Sequence, residues 1–336
     1  MGALLDKPIT DKTTETAESE AGIRFAASAM QGWRVEMEDS HTIIENVEGL
    51  KGHSFVAVYD GHGGSMCATY AGKEMMRFIV ATQDFQTYLS QPDDQKDPNL
   101  LRFAMRKAYF DIDEALKQVP EVKSVSDRSG CTALSAFITP TQIVLAHAGD
   151  SRAIICSNGE VAMATEDHKP YDGSEKSRIE AAGGYVSMRR VDGDLAVSRA
   201  LGDFQYKDNN IPPQNCKVTC LPDTGIYKRK EAGDEFLILC CDGIWDVMTN
   251  EQCRSTAMEI FREGERDMGL VCEELIDTCL LLGSRDNMSV VLVAFKALKI
   301  GSGNGVKGRR AMRQAEEEKK NTNKDSHEYN SMAKVP

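Results

Sequence analysis

Phe55-Val56-Ala57-Val58-Tyr59-Asp60-Gly61-His62 sets five consecutive apolar residues directly before an acid and a glycine. A run of that length, closed by a turn signal, has the size of a strand buried on both faces. The arrangement returns along the chain. Ile143-Val144-Leu145-Ala146 leads to Gly149-Asp150-Ser151, and Phe236-Leu237-Ile238-Leu239 leads through Cys240-Cys241 to Asp242-Gly243. A further run, Val290-Val291-Leu292-Val293, is preceded by Arg285-Asp286-Asn287. Such strands are too apolar for a surface and belong in a covered sheet. Acids at strand ends beside turns can converge on one rim of that sheet.

Helix-period patterns lie between the runs. Residues 99–119 carry Leu101, Ala104, Ala108, Ile112, Ala115 and Val119 at three-to-four spacing. Ser174 reads as the N-cap of a short helix ending at Gly183-Gly184. Asn250 reads as the cap of a helix over 251–261 that pairs with one over 270–282. Long helices between buried strands require a layered α/β or α+β fold.

The chain has 336 residues, 41% of them hydrophobic, and a formal net charge of -12. An acidic surface disfavours a nucleic-acid partner, which basic patches hold, and so disfavours a nuclease. The 10 cysteines show no zinc spacing. There is no signal-peptide pattern and no apolar run near the roughly 20 residues a membrane span needs. Free thiols then indicate a reducing compartment, cytoplasmic or nuclear. The start, Met1-Gly2-Ala3-Leu4-Leu5-Asp6, exposes Gly2 for acylation, although Asp6 stands where the myristoylation pattern wants Ser or Thr. One acyl chain would give weak, reversible peripheral membrane contact and no stable insertion. Residues 1–21, polar and Thr/Glu-rich, read as a flexible leader. Residues 22–297 read as the folded domain. Residues 298–336, with the Gly301–Gly305 linker and few bulky apolar side chains, read as a flexible charged tail, at most one exposed helix.

The chemistry lies in the carboxylates. An Asp-Gly pair alone merely starts a turn; several of them, each after a buried run, form a stronger pattern. Glu38-Asp39 adds two acids to Asp60, Asp150, Asp242 and Asp286. An all-oxygen set calls for a hard cation, Mg²⁺ or Mn²⁺. Two such ions about 3.5–4 Å apart can share a water, lower its pKa and clamp a phosphoryl group. Arg34 is available for phosphate oxygens. His62, on the turn Gly61-His62-Gly63-Gly64, is placed to protonate a leaving oxygen. His147 and His168 are better read as structural. Cys279 and Arg285 have the spacing of a cysteine-dependent tyrosine phosphatase. Cys279, however, falls late in an apolar helix, so the match is accidental.

The segments MQGWRVEMED (30–39), VYDGHGG (58–64), SGCTA (129–133), AGDSR (148–152), DHKP (167–170), LAVSRALGDF (195–204), CDGIWDV (241–247) and SRDNMSV (284–290) stand in this order. Together they resemble the motif series of the metal-dependent type 2C serine/threonine protein phosphatases, over roughly residues 22–297. The start, MGALLDKP, resembles that of the animal alpha and beta members. The resemblance implies an α+β fold: an αββα sandwich of two stacked antiparallel sheets flanked by helix pairs, with a dinuclear metal site in the cleft between the sheets. It implies hydrolysis of phosphoserine and phosphothreonine in protein substrates by a metal-bridging water or hydroxide, with no covalent phosphoenzyme. Asp60 is then expected to bridge two metal ions and Gly61 to offer its carbonyl to one. Glu38, Asp242 and Asp286 complete the shells, Asp39 stands nearby, and Asp150 with Asp242 forms a weaker third site. Arg34 matches the phosphate-binding arginine and His62 the general acid. Residues 169–190 match the flap beside the cleft. Arg199 is expected near the cleft, without an assigned role. The intact acid set argues against a catalytically dead binding protein, and the chain is expected to act as a monomer.

Overall fold

A computed structural model describes residues 4–122, 128–315 and 318 of the chain. In chain order the strands are β1 (Leu4–Glu18), β2 (Arg24–Arg34), β3 (Ser40–Ile44), β4 (Ser54–Tyr59), β5 (Gly61–His62), β6 (Gly130–Cys131), β7 (Ala133–Ile138), β8 (Gln142–Ala148), β9 (Arg152–Ser157), β10 (Glu160–Ala164), β11 (Val186–Ser187), β12 (Arg190–Val191), β13 (Leu201–Gly202), β14 (Asp223–Lys228), β15 (Asp234–Cys240) and β16 (Met288–Ala294). The helices are α1 (Met66–Ala81), α2 (Gln83–Ser90), α3 (Pro98–Leu116), α4 (Gly173–Ala181), α5 (Asp242–Trp245), α6 (Asn250–Arg262) and α7 (Met268–Leu281). Two main sheets form, ordered β1-β2-β16-β15-β9-β10 and β14-β8-β7-β4-β3. Every pairing within them is antiparallel. The fold is mixed α+β.

Strand periodicity explains the layering. In β4, Val56 and Val58 point into the core between the sheets, while Phe55, Ala57 and Tyr59 pack under α1, α2 and α3. In β16, Val291 and Val293 face inward, and Val290, Leu292 and Ala294 pack under the α5–α7 side. Alternate residues thus meet two different apolar layers, so these antiparallel strands read as unbroken apolar runs. Antiparallel order also brings the ends of β2, β4, β8 and β15 and the start of β16 to the same rim. The acids that follow or precede those strands therefore gather there.

Three expectations from the sequence need correction. The supposed leader is an edge strand: β1 pairs with β2, from Leu4↔Arg34 to Glu18↔Arg24. Its Thr-rich composition suits an edge strand exposed to water, since β-branched residues favour the pleat and charge protects the edge. Helix caps fall earlier than expected. Thr249, not Asn250, caps α6 in a capping box with Gln252, and Asp172, not Ser174, precedes α4. The Asn250 amide oxygen instead accepts from Arg152.

The tail is also more structured than its composition suggests. Residues 305–315 form a helix. Val306 is buried in the α6–α7 core, and Arg309, Arg310 and Arg313 pair with Glu259, Glu263, Glu273, Glu274 and Asp277. Charge, rather than a wide apolar face, docks it. Residues 316, 317 and 319–336 of the tail lie outside the described residues.

Candidate metal centre

Asp60, Asp150 and Asp242 stand within two residues of the ends of β4, β8 and β15, and Asp286 stands two residues before the start of β16. Oxygens of Asp60, Asp150 and Asp242 lie within 4.8 Å of one another, and Asp39 and Asp60 form a second such group with Cys241. Asp286 and Arg34 line the same cleft, joined at 2.6 Å. The cleft holds about 210 Å³ and is also lined by His62, Thr132 and Arg190. Gly61 must be glycine, because a Cβ there would stand 2.1 Å from the Glu38 carbonyl oxygen.

The electrostatics are those of an under-neutralised cluster. Burial, then repulsion from Asp242, Asp39, Asp150 and Asp286, holds the Asp60 carboxyl well above its usual range. Burial and the charges of Asp150 and Asp286 do the same to Asp242. Burial pushes Asp39 up to about 7, although the Ser289 hydroxyl donates to it. Lys169 Nζ meets Asp150 Oδ2 at 2.6 Å. Among the described residues, the buried oxygens Asp39 Oδ1 and Asp150 Oδ1 have no hydrogen-bond partner. Crowded carboxylates with orphaned oxygens fit divalent cations.

Glu38 stands differently from the other acids. Its carboxylate accepts from the Gly64 amide at 2.5 Å, and its own amide donates to Asn287 Oδ1. Asn287 also donates to the carbonyls of Gln31 and Glu36, fixing the loop that carries Glu38 and Asp39. Thr132 Oγ1 accepts from the Asp60 amide and meets Ser151 Oγ at 2.7 Å. Sequence reading missed Asn287 and Thr132 as supports, although both sit inside the quoted motif segments.

His62 has a partner that sequence reading also missed. Its Nε2 lies 2.7 Å from Asp203 Oδ2, and Asp203 is 1% exposed with a left-handed φ of 51°. A Cβ on Gly130 would stand 2.2 Å from that Asp203 oxygen and 2.6 Å from His62 Nε2. Gly130 is therefore what lets the pair close. Burial lowers the affinity of His62 for a proton, but Asp203, with Asp150 and Glu38, outweighs it, and the net shift is upward. The Gly202-Asp203 pair after an apolar step was the available signal.

Arg199 does not line the cleft. It grips Glu175 of α4 at 2.7 Å and Asp223 at 2.6 Å. Glu175, 2% exposed, also holds Arg178 and the Ser198 hydroxyl. Although burial opposes it, this pairing pulls the Glu175 pKa down to about 2. The base of the flap is thus clamped, while its β11–β12 tip presents Met188, 90% exposed. His147 and His168 stack at 4.7 Å; the Gly149 amide donates to His168 Nδ1 at 3.2 Å and His147 Nε2 meets the Glu166 carbonyl at 2.9 Å, the contacts of structural histidines. Cys279 is buried in α7 with its thiol pKa pushed up by that burial, which suits no nucleophile.

Comparison with known proteins agrees with this geometry. Residues 23–288 match the family described as "Protein phosphatase 2C". Protein phosphatase 1A of Homo sapiens is 44% identical over 298 residues, covering 88% of this chain and 76% of its own length. Protein phosphatase 1B of Rattus norvegicus is 43% identical over 302 residues, with the same two coverages of 88% and 76%. The crystal structure of serine-threonine phosphatase 2C from Toxoplasma gondii matches with a TM-score of 0.72 at 24% identity, over 84% of this chain and 99% of that one, a likeness of fold. The chain belongs to the protein phosphatase 2C family and is a metal-dependent serine/threonine protein phosphatase.

Proposed function

We propose that this chain hydrolyses phosphoserine and phosphothreonine in proteins at the acidic rim, with Mg²⁺ or Mn²⁺ held by Asp60, Asp150, Asp242 and Asp286. Asp39, Glu38 and the Gly61 carbonyl complete the set. Bound there, two divalent cations, with a weaker third at Asp150 and Asp242, would supply an activated water at neutral pH and offset charge on the phosphoryl group. Arg34 is the phosphate ligand: its planar fork suits two phosphate oxygens, and Asp286 fixes its direction. Asp203 accepts from His62 Nε2, so the proton offered to the departing seryl or threonyl oxygen sits on Nδ1. All ten cysteines are buried, consistent with direct hydrolysis without a covalent phosphoenzyme.

The observation that carries this reading is the crowding of Asp60, Asp150 and Asp242 beside Arg34 and His62. Initial rates on a phosphothreonine peptide test it. Activity should vanish in excess chelator, return with Mn²⁺ and survive thiol alkylation. Full activity in chelator would contradict it. Phosphoproteins are the partners of a monomer, and no described helix is long and apolar enough to cross a membrane. Gly2 lies outside the described residues; the mass of the N-terminal peptide from eukaryotic cells tests its acylation.

A further inference from the structure

Beside the metal cleft runs a second concavity of about 320 Å³, and the two share Arg34 and Asp286 as a common wall. Leu4, Asp246, Val247 and the Gly283-Ser284-Arg285 loop form the rest of its lining. The charged Arg34, Asp246, Arg285 and Asp286 surround two aliphatic side chains, Leu4, 41% exposed, and Val247, while the exposed Val35 and Leu282 adjoin the lining residues Arg34 and Gly283 in the chain. Isolated exposed aliphatics mean little, but a group beside a concave site marks an interaction surface. These side chains come from elements fixed elsewhere. Leu4 pairs with Arg34 across β1 and β2, while β1 is tied to α7 through Thr14–Glu273 and Lys12–Asp277. The groove is therefore pre-formed.

We propose that this groove receives an aliphatic or aromatic side chain of the substrate protein, one or two residues from the phosphoresidue. The inference rests on the catalytic reading above, since it takes Arg34 as the phosphate ligand. With the phosphate at Arg34, one flank of the substrate must leave past the shared wall. An extended chain advances about 3.3–3.6 Å per residue, so only immediate neighbours of the phosphoresidue can reach the groove. Its volume lies at the low end for ligand sites, roughly 300–1,000 Å³, and fits one side chain rather than a docked helix. Specificity for the flanking sequence would then come from the Leu4–Val247 groove as well as from the flap.

A panel of phosphothreonine peptides tests this, with Leu, Phe, Ala or Asp placed in turn at the two positions on each side of the phosphothreonine. Rates are measured for the wild type, Val247→Asp and Leu4→Asp. p-Nitrophenyl phosphate turnover and Mn²⁺ titration run in parallel. At one flank position Leu or Phe should exceed Asp roughly ten- to a hundredfold in kcat/KM, mostly through KM. Both variants should flatten that preference while p-nitrophenyl phosphate turnover and Mn²⁺ binding hold. No preference at any position, or a preference undiminished in both variants, would overturn the proposal. If Val247→Asp loses Mn²⁺ binding, Leu4→Asp alone decides. Wild-type protein that bound no Mn²⁺ would instead overturn the catalytic reading, and this inference with it.

Discussion

Two regions of this molecule bury carboxylates, and they do so with opposite electrostatics. At the base of the flap, Glu175 is enclosed by Arg178, Arg199 and Ser198, and its proton affinity falls. At the rim, Asp60 and Asp242 are enclosed mainly by other acids, and theirs rises. A neutralised buried acid is a structural clamp, whereas an under-neutralised cluster is strained until a cation arrives. Fold stability is built at the first site and withheld at the second, which is the pattern expected where binding must supply the missing charge.

The largest effects should come from the rim. Asp60→Asn or Asp242→Asn should abolish turnover and the calorimetric signal of Mn²⁺ binding while the fold survives. Wild-type affinity in both variants would refute the ligand assignment. The next effect concerns His62. His62→Gln should slow hydrolysis of a phosphothreonine peptide roughly 10²–10⁴-fold, yet barely slow p-nitrophenyl phosphate, whose leaving group departs without a proton. Asp203→Asn should show the same bias to a smaller degree. Equal losses on both substrates would withdraw the general-acid role.

The clamp should answer in stability rather than chemistry. Glu175→Gln leaves two partly buried arginines short of a partner and should destabilise by about 3–5 kcal/mol, with Mn²⁺ affinity kept. Because the folded pKa of Glu175 is depressed to about 2, its contribution is present above the ordinary carboxylate pKa. It is lost as pH falls from about 4.5 toward 2. In Glu175→Gln that part of the acid sensitivity should disappear; an unchanged acid-unfolding curve would contradict the clamp. The smallest effect is expected at the tail. Deleting residues 301–336 strips Arg310 and Arg313 from Glu274, which is 0% exposed. That should destabilise by roughly 1–3 kcal/mol with kcat nearly intact. No change in melting temperature would show that the docked helix is incidental.

Much of this was legible in the sequence. Continuous apolar runs marked strands buried on both faces, and the acids at their ends marked the rim, because both signals are local. The partners that hold those residues were not. Asp203 meets His62 across 141 positions and Asn287 meets Glu38 across 249; no spacing rule reaches so far. Arg199 was legible as a motif residue but not as a clamp, since its partner Glu175 lies on another element. β1 was misread because its residues are polar, and an edge strand needs backbone pairing rather than apolar side chains. The helix over 305–315 was misread for a related reason: arginine–carboxylate pairs dock it, and composition alone gives no partner for a basic run.

The contrast between the two buried sites reduces to a difference of sign, and thermal unfolding reads it directly. Wild type, Asp242→Asn and Glu175→Gln would be melted in excess chelator and again in saturating Mn²⁺. Removing a charge from the crowded rim should raise the melting temperature in chelator by ~2–4 °C and erase the further rise on adding Mn²⁺. Removing the charge from the clamp should lower the melting temperature in both conditions and keep the Mn²⁺-induced rise. A lower melting temperature for Asp242→Asn in chelator, together with a full Mn²⁺ response, would mean that the rim is a structural cluster and not the metal centre.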